Sequence, residues 1–412
     1  MEADAVSWEL NVKMLPTVWQ GLAQSTLSHL TVKFPSTRHP QPITIAPPIP
    51  NLKSLKILDI DPLCYADDIS LLLLGSKKLE ELMLHWSPRM KEAREPSVNL
   101  GSYFGRCLSS GYKIPLKIVA IKNLYTHNDG SCESMINIAT LKEITLINST
   151  TGDGDEAANV FMDHRWQMGP PKHTVPGLKM LRVDKVSKLQ CDFLGSFTGL
   201  ERLYFIGAHK LTRYQSNTAS RRNSNAAPLP YSPASSTSSS PSASETQGLK
   251  DDYLETIVKN HGSTLRHLLF LPQWRLTADN IALIIRNCPN LEQLGLGVEF
   301  VDFRNLRLLI PFLPKLKALR LLDNPDDRSY GDKVREVDDG AHEKEIGNDT
   351  TNGEWNAMRY IELAGLLFEV GNMKPQGPPM ENGRQKYRRD VWRRPTKALE
   401  RIEIWRMDTM EI

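Results

Sequence analysis

The sequence predicts an α/β solenoid, a horseshoe of about twelve strand–helix units with a parallel concave sheet and disordered insertions. Three observations carry that expectation. An apolar triplet L-x-x-L-x-φ recurs along the chain. A helix-period apolar stretch falls between successive triplets. Whole units also align without gaps.

The clearest unit is "TLRHLLFLPQWRLTADNIALIIRNCPNLEQLGLGVEF", residues 264–300. Leu265, Leu268 and Phe270 form one triplet, and Leu291, Leu294 and Leu296 form the next, a step of about 26 residues. The last two members of each triplet alternate, as on one face of a strand. Between them Ile281, Ile284 and Ile285 mark one helix face. Thr277 is a suitable N-cap, Asp279 suits the positive end of the helix dipole, and Pro289 stops the helix. "YADDISLLLLGSKKLEELML" (residues 65–84) aligns with "TADNIALIIRNCPNLEQLGL" (residues 277–296) without a gap. Further triplets are expected at Leu27-Leu30-Val32, Leu55-Leu58-Ile60, Leu79-Leu82-Leu84, Leu116-Val119-Ile121 and Leu141-Ile144-Leu146. The series continues at Leu178-Leu181-Val183, Leu200-Leu203-Phe205, Leu316-Leu319-Leu321, Met358-Ile361-Leu363 and Leu399-Ile402-Ile404.

This organisation divides the chain into a solenoid half over 1–215, an inserted loop over 216–248, and a second half over 249–412. Residues 216–248 are rich in Ser, Pro and Ala, with too few large apolar side chains to bury a core, so disorder is expected. Arg221-Arg222-Asn223-Ser224 resembles a basophilic kinase site. Ser232-Pro233 and Ser240-Pro241 resemble proline-directed ones, so Ser224, Ser232 and Ser240 are candidate phosphorylation sites. A spacer and a switch both fit. Residues 323–354 are acidic and read as a solvated insertion without the ligand spacing of a calcium loop. Residues 374–406 are basic. Arginines interleaved with aromatics there suit nucleic-acid binding, but Tyr387, Val391 and Trp392 at i, i+4 and i+5 favour the core face of a last helix.

Composition restricts the function classes. A net charge of +3 gives little overall attraction to nucleic acid. Neither a membrane-spanning apolar run nor a signal-peptide pattern is present. Five scattered cysteines without a CxxC pair suit a reducing compartment, cytoplasm or nucleus. Cys288 reads as a small buried residue rather than a nucleophile. The phosphate-loop, zinc-protease, nucleophile-elbow and kinase patterns are absent (residues 195–199 read G-S-F-T-G). The expectation is therefore a binding surface, not an enzyme, with no cofactor and no metal.

Residues flanking the last apolar position of each triplet should face the concave sheet. This makes Lys33, Asp59, His85, Lys122, Arg182, Tyr204, Leu269, Arg320 and Trp405 the candidate partner-binding residues. Between Tyr204 and Leu322 the predicted face is apolar, with Gly295 and Gly297 beside Leu269 and Leu271. An apolar face of this kind implies a protein partner or a covering segment.

"NCPNLEQLGLG" (residues 287–297) resembles the cysteine-containing repeat C-P-x-L-x-x-L-x-L of F-box leucine-rich-repeat proteins. The stretches "NLKSLKILDIDPLCYADDISLLLLGSKKLEEL" and "TLRHLLFLPQWRLTADNIALIIRNCPNLEQLG" are similar to uncharacterised fungal members of that class. The resemblance implies repeats that recognise a protein substrate, and an F-box that docks it to a cullin–RING ubiquitin ligase. The chain departs from that pattern at its start. Leu15-Pro16 matches the opening of an F-box, but the triplet at Leu27 leaves no room for its helices. The resemblance implies a substrate receptor or a remnant of one; a binding scaffold without a ubiquitin role is the alternative.

Overall fold

The computed structural model describes residues 4–34, 47–61, 66–88, 100–126, 132–151, 177–207, 243–298, 310–323, 332, 334, 340–351, 357–380, 382–395, 399 and 401–412. It is a mixed α/β structure with mostly parallel, open sheet. The chain divides into two compact units, Met1–Arg202 with Met410–Ile412, and Leu203–Thr409.

The first unit contains, in chain order, β1 (Ala5–Trp8), α1 (Pro16–Ala23), β2 (His29–Lys33), β3 (Ser54–Ile60), α2 (Ala66–Gly75) and β4 (Glu81–Trp86). It continues with α3 (Leu100–Tyr103), α4 (Gly105–Ser109), β5 (Ile118–Lys122), β6 (Tyr125–Thr126), α5 (Cys132–Met135) and β7 (Glu143–Ile147). It ends with β8 (Thr150–Thr151), β9 (Met180–Val183) and α6 (Lys188–Gly195). The sheet order is β1-β2-β3-β4-β5-β7-β9, every pair parallel, with β6 and β8 pairing separately.

Register shows why the triplets work. Leu30, Leu55, Leu82, Val119, Ile144 and Leu181 stand in one row across neighbouring strands. All six are buried. Such a row turns isolated leucines into continuous apolar contact, at about 1.5–3 kcal/mol per fully buried side chain.

The same register corrects one expectation. Leu55 pairs with Leu82 and Ile57 with Leu84, so the β3 triplet is Leu52-Leu55-Ile57, not Leu55-Leu58-Ile60. Leu58 is half-buried, and Asp61, expected on the open face, is buried. Strand β1 was not anticipated. It edges the sheet by pairing Val6 with Leu30 and Trp8 with Val32, while Trp19 and Leu22 of α1 are buried.

Several strands end in a left-handed residue that carries a short polar side chain: Asp59 (φ 53), Asn123 (φ 59) and Asn148 (φ 48). Asn and Asp tolerate this conformation better than other non-glycine residues. Their side chains also join adjacent strand ends. The Asn148 amide donates to Asn123 Oδ1 at 2.6 Å, and Asn123 donates to the Trp86 carbonyl at 3.1 Å. Asp184 Oδ2 accepts from the Asn148 backbone N–H at 2.8 Å.

The second unit contains β10 (Arg202–Phe205, the division falling after its first residue), α7 (Ala243–His261), β11 (His267–Leu269), β12 (Arg275–Leu276), α8 (Ala278–Asn287) and β13 (Gln293–Val298). It continues with β14 (Ala318–Leu321), α9 (Ala341–Asp349), β15 (Tyr360–Leu363), β16 (Leu366–Pro375), β17 (Tyr387–Arg394) and α10 (Glu403–Arg406). Strands β11, β13, β14 and β15 are parallel, and β12 adds to β13. Strands β16 and β17 then close the edge as an antiparallel pair.

Leu268, Leu294, Leu319 and Ile361 repeat the buried row. Phe205, Tyr253, Phe270 and Trp274 pack at centroid distances of 5.2 to 6.4 Å. Helix α8 begins as expected at Thr277, whose hydroxyl accepts from the Asn280 N–H at 3.1 Å. The Asn280 side chain accepts from the Thr277 N–H at 3.2 Å, completing a capping box. The aligned units bury the same positions, Ile69, Leu72 and Leu73 in α2 and Ile281, Ile284 and Ile285 in α8. Ser76 occupies the place that Cys288 takes, and both are buried.

Four expectations in this unit are overturned. The sequence predicts an inserted loop up to residue 248, but α7 starts at Ala243, because Tyr253, Leu254 and Ile257 give it a face to bury. The acidic insertion is not wholly solvated. Helix α9 lies within it, with Ile346 and Gly347 buried, and a Cβ on Gly347 would meet the Arg389 carbonyl at 2.7 Å. The expected last helix is β17. Tyr387 and Trp392 are 53% and 44% exposed, and Arg389 is the side chain that goes inside. Cross-strand pairing decided this, since β17 pairs along β16 from Tyr387–Pro375 to Arg394–Leu367. Finally, the strand expected at Leu399-Ile402-Ile404 is not formed by the described residues there, 399 and 401–404. The same apolar spacing also fits a single helical turn, and α10 is that turn.

Candidate functional site

The candidate site is the face of the second unit's sheet opposite the buried leucine row. Two rows of side chains cross it. Leu269, Gly295, Arg320 and Glu362 share one register; His267, Gln293, Ala318 and Tyr360 share the next.

Helix α10 and the residues after it lie on these rows as a strap. Ile404 meets the row at Gly295. A Cβ there would strike the Leu269 side chain and come 3.3 Å from Ile404 Cδ1. Glycine spares Leu269 and Ile404 that displacement, which accounts for a residue that weakens strands sitting mid-strand. The Ile404 N–H donates to Gln293 Oε1 at 2.8 Å.

The polar end of the strap is built on Arg320, which is buried. Its Nε donates to Glu362 Oε2 at 2.8 Å, its Nη1 to the Ile404 carbonyl at 3.0 Å, and its Nη2 lies 3.1 Å from Asp408 Oδ2. The Trp405 indole N–H also donates to Glu362. Its ring lies 5.3 Å from the Arg320 guanidinium and edge-on to Tyr360 at 6.4 Å. Burial opposes the Arg320 charge, but Glu362 and Asp408 outweigh it and hold the guanidinium's pKa above its ordinary value.

At the other end, Glu403 Oε2 lies 2.9 Å from His267 Nδ1 and accepts from the Tyr204 hydroxyl at 3.4 Å. The Tyr204 oxygen is 2.7 Å from the same His267 nitrogen. The strap thus meets the face with an aliphatic side chain, an aromatic donor and two carboxylates.

Of the nine residues chosen from sequence, Tyr204, Leu269, Arg320 and Trp405 are brought together here. They are covered by the chain itself rather than left open, Trp405 being 9% exposed. Lys33, Asp59, His85, Lys122 and Arg182 belong to the first unit. Lys33 pairs with Asp59 at 3.1 Å, both half-buried. Arg182 is buried. Lys122 pairs with Glu411 at 3.1 Å, and Lys56 donates to the Ile412 main-chain oxygen at 2.5 Å. His85 Nε2 is 3.0 Å from the Asn123 amide. Burial, reinforced by Lys122, holds the His85 imidazole below its ordinary pKa. Ser224, Ser232 and Ser240 lie outside the described residues.

Sequence reasoning missed Gln293, Glu362 as an ion-pair partner, His267 and Asp408. The available signal was the acidic content of "RIEIWRMDTMEI" set against a row containing Arg320, but pairing them needs the strand register. Cys288 is buried, and its thiol is pushed up to about 12 by that burial. Among the described residues, no cluster of His, Cys, Asp or Glu could hold a metal, and no helix is long and apolar enough to cross a membrane.

Compared with known proteins, the chain matches no family model and no curated sequence.

Proposed function

We propose that this chain is a leucine-rich-repeat receptor that binds a protein on the strap-bearing face. Its role would be substrate recognition of the F-box type for a cullin–RING ubiquitin ligase, or a remnant of that role. The observation that carries the reading is the shared register of the L-x-x-L-x-φ triplets. Their second and third positions stand opposite one another on strand after strand, as in Leu294, Leu319 and Ile361 followed by Leu296, Leu321 and Leu363. Stacked units of this kind present an extended sheet face, which suits a protein partner better than a small molecule.

A specific observation favours the second reading, a scaffold without a ubiquitin role. Residues 5–23, where the Leu15-Pro16 resemblance falls, supply an edge strand and one helix rather than a three-helix domain. Affinity capture of the full chain with mass spectrometry separates the two. Cullin-ligase subunits among reproducible partners support the ligase role. A stable partner without them supports the scaffold. Failure to enrich any protein overturns both.

A further inference from the structure

The strap has the contacts of a bound ligand. It is held by side chains that sequence patterning assigns to the open face, and it covers one continuous patch, from Tyr204 and His267 to Glu362. Three kinds of complementarity coincide there. An aliphatic side chain fills the space left by Gly295. An indole N–H and a buried guanidinium share Glu362. A carboxylate completes the guanidinium's partners.

We propose that residues 402–408 are an internal occupant of a peptide-binding face, and that the partner carries a segment of the same chemistry. That segment has an aliphatic residue followed directly by tryptophan, then an acidic residue three positions later, as in Ile404, Trp405 and Asp408. It displaces the strap on binding. This rests on the protein-binding reading above and adds the class of partner.

The chemistry of the face selects that segment. Arg320 reaches two carboxylates at once, from Glu362 on its own sheet and Asp408 on the strap. A segment without an acid would leave part of a buried guanidinium unsatisfied, which is costly. One with a basic residue at that place would put two cations together. Above Gly295, Ile404 Cδ1 comes within 3.3 Å of where a Cβ would stand, so an aliphatic side chain of the segment fills that place.

Tethering sets the affinity scale. Only residues 395–402 separate the end of β17 from α10. A short tether gives the strap a millimolar-range effective concentration, so a free peptide at micromolar concentration cannot displace it. A partner must therefore bind more tightly than the strap, or act where the strap has been weakened.

The test uses the full chain and a labelled synthetic peptide, LERIEIWRMDTMEI, covering residues 399–412. The variant Ile404→Ser/Trp405→Ser/Asp408→Ser weakens the strap and leaves the face intact. By fluorescence anisotropy it should bind the peptide at least about tenfold more tightly than wild type, which the tether protects. Adding Gly295→Val should abolish that gain. Should the triple change unfold the chain, Asp408→Asn alone should still raise peptide affinity over wild type. A natively folded strap variant that binds no better than wild type overturns the proposal. So does retention of the gain in the Gly295→Val background. Capture experiments with the strap variant distinguish the two levels of failure. Peptide binding without any enriched protein leaves the displaceable strap standing and removes the protein-receptor reading.

Discussion

Arg320 and Asp408 form a 3.1 Å ion pair between strand β14 and the segment that follows α10. Glu362 completes the group from β15 at 2.8 Å. A cation expected to await a partner is already engaged by its own chain. Arg320→Met should cost about 3–5 kcal/mol, because it strands two carboxylates at a buried place. Urea denaturation measures this, and combining it with Glu362→Gln and Asp408→Asn should restore part of the loss. A cost below about 1 kcal/mol would mean that the cluster is solvated.

The capping box of α8 gives a second prediction. Thr277→Ala removes the hydroxyl that accepts the Asn280 N–H. The expected loss is about 1 kcal/mol, and Thr277→Ser should recover most of it. Equal stability of Thr277→Ala and wild type would show that the cap contributes nothing.

His85 predicts a pH dependence. Burial, then Lys122, lower its pKa in the folded chain below the ordinary 6.5. The unfolded chain therefore takes up this proton first as pH falls. Above about 6.5 the group has no effect on stability; below it, stability is progressively lost down through the folded value. Imidazole NMR should show His85 titrating below 6.5 in the native chain. Titration at or above that value contradicts the burial described.

Cys288 predicts chemical silence. Burial pushes its thiol up to about 12, so the native chain has almost no thiolate there at pH 8. Mass spectrometry after iodoacetamide treatment should find Cys288 unmodified in the native chain and alkylated in guanidinium. Rapid native alkylation would show that the corner between α8 and β13 opens.

How much of this was legible in sequence depends on how far apart the deciding residues lie. Leu291, Leu294, Leu296, the Ile281–Ile284–Ile285 face and the Thr277 cap are local, and each was readable. The β3 triplet was misread because Leu52-Leu55-Ile57 and Leu55-Leu58-Ile60 share Leu55 and satisfy the same pattern. Only the pairing of Leu55 with Leu82 separates them. Residues 387–394 fit a helix face by spacing, yet pairing with β16 made them a strand. The candidate face was half legible: Tyr204, Leu269, Arg320 and Trp405 were chosen, and a covering segment was one stated possibility. That Trp405 belongs to the cover, not to the face, depends on Gly295 and Glu362, which no local pattern links to it.

The most direct test of a strap that is seated and removable is hydrogen exchange of the full chain. The amides of Ile404, Trp405, Arg406, Met407 and Asp408 all have acceptors, including Gln293 Oε1 and the Ile402 carbonyl. They should exchange more slowly than an exposed segment, yet faster than β13 and β14. Addition of a captured partner should accelerate them while slowing exchange at residues 293–295 and 318–321. Strap amides as slow as β14, unchanged by partner, would make the strap a fixed part of the core and contradict the account.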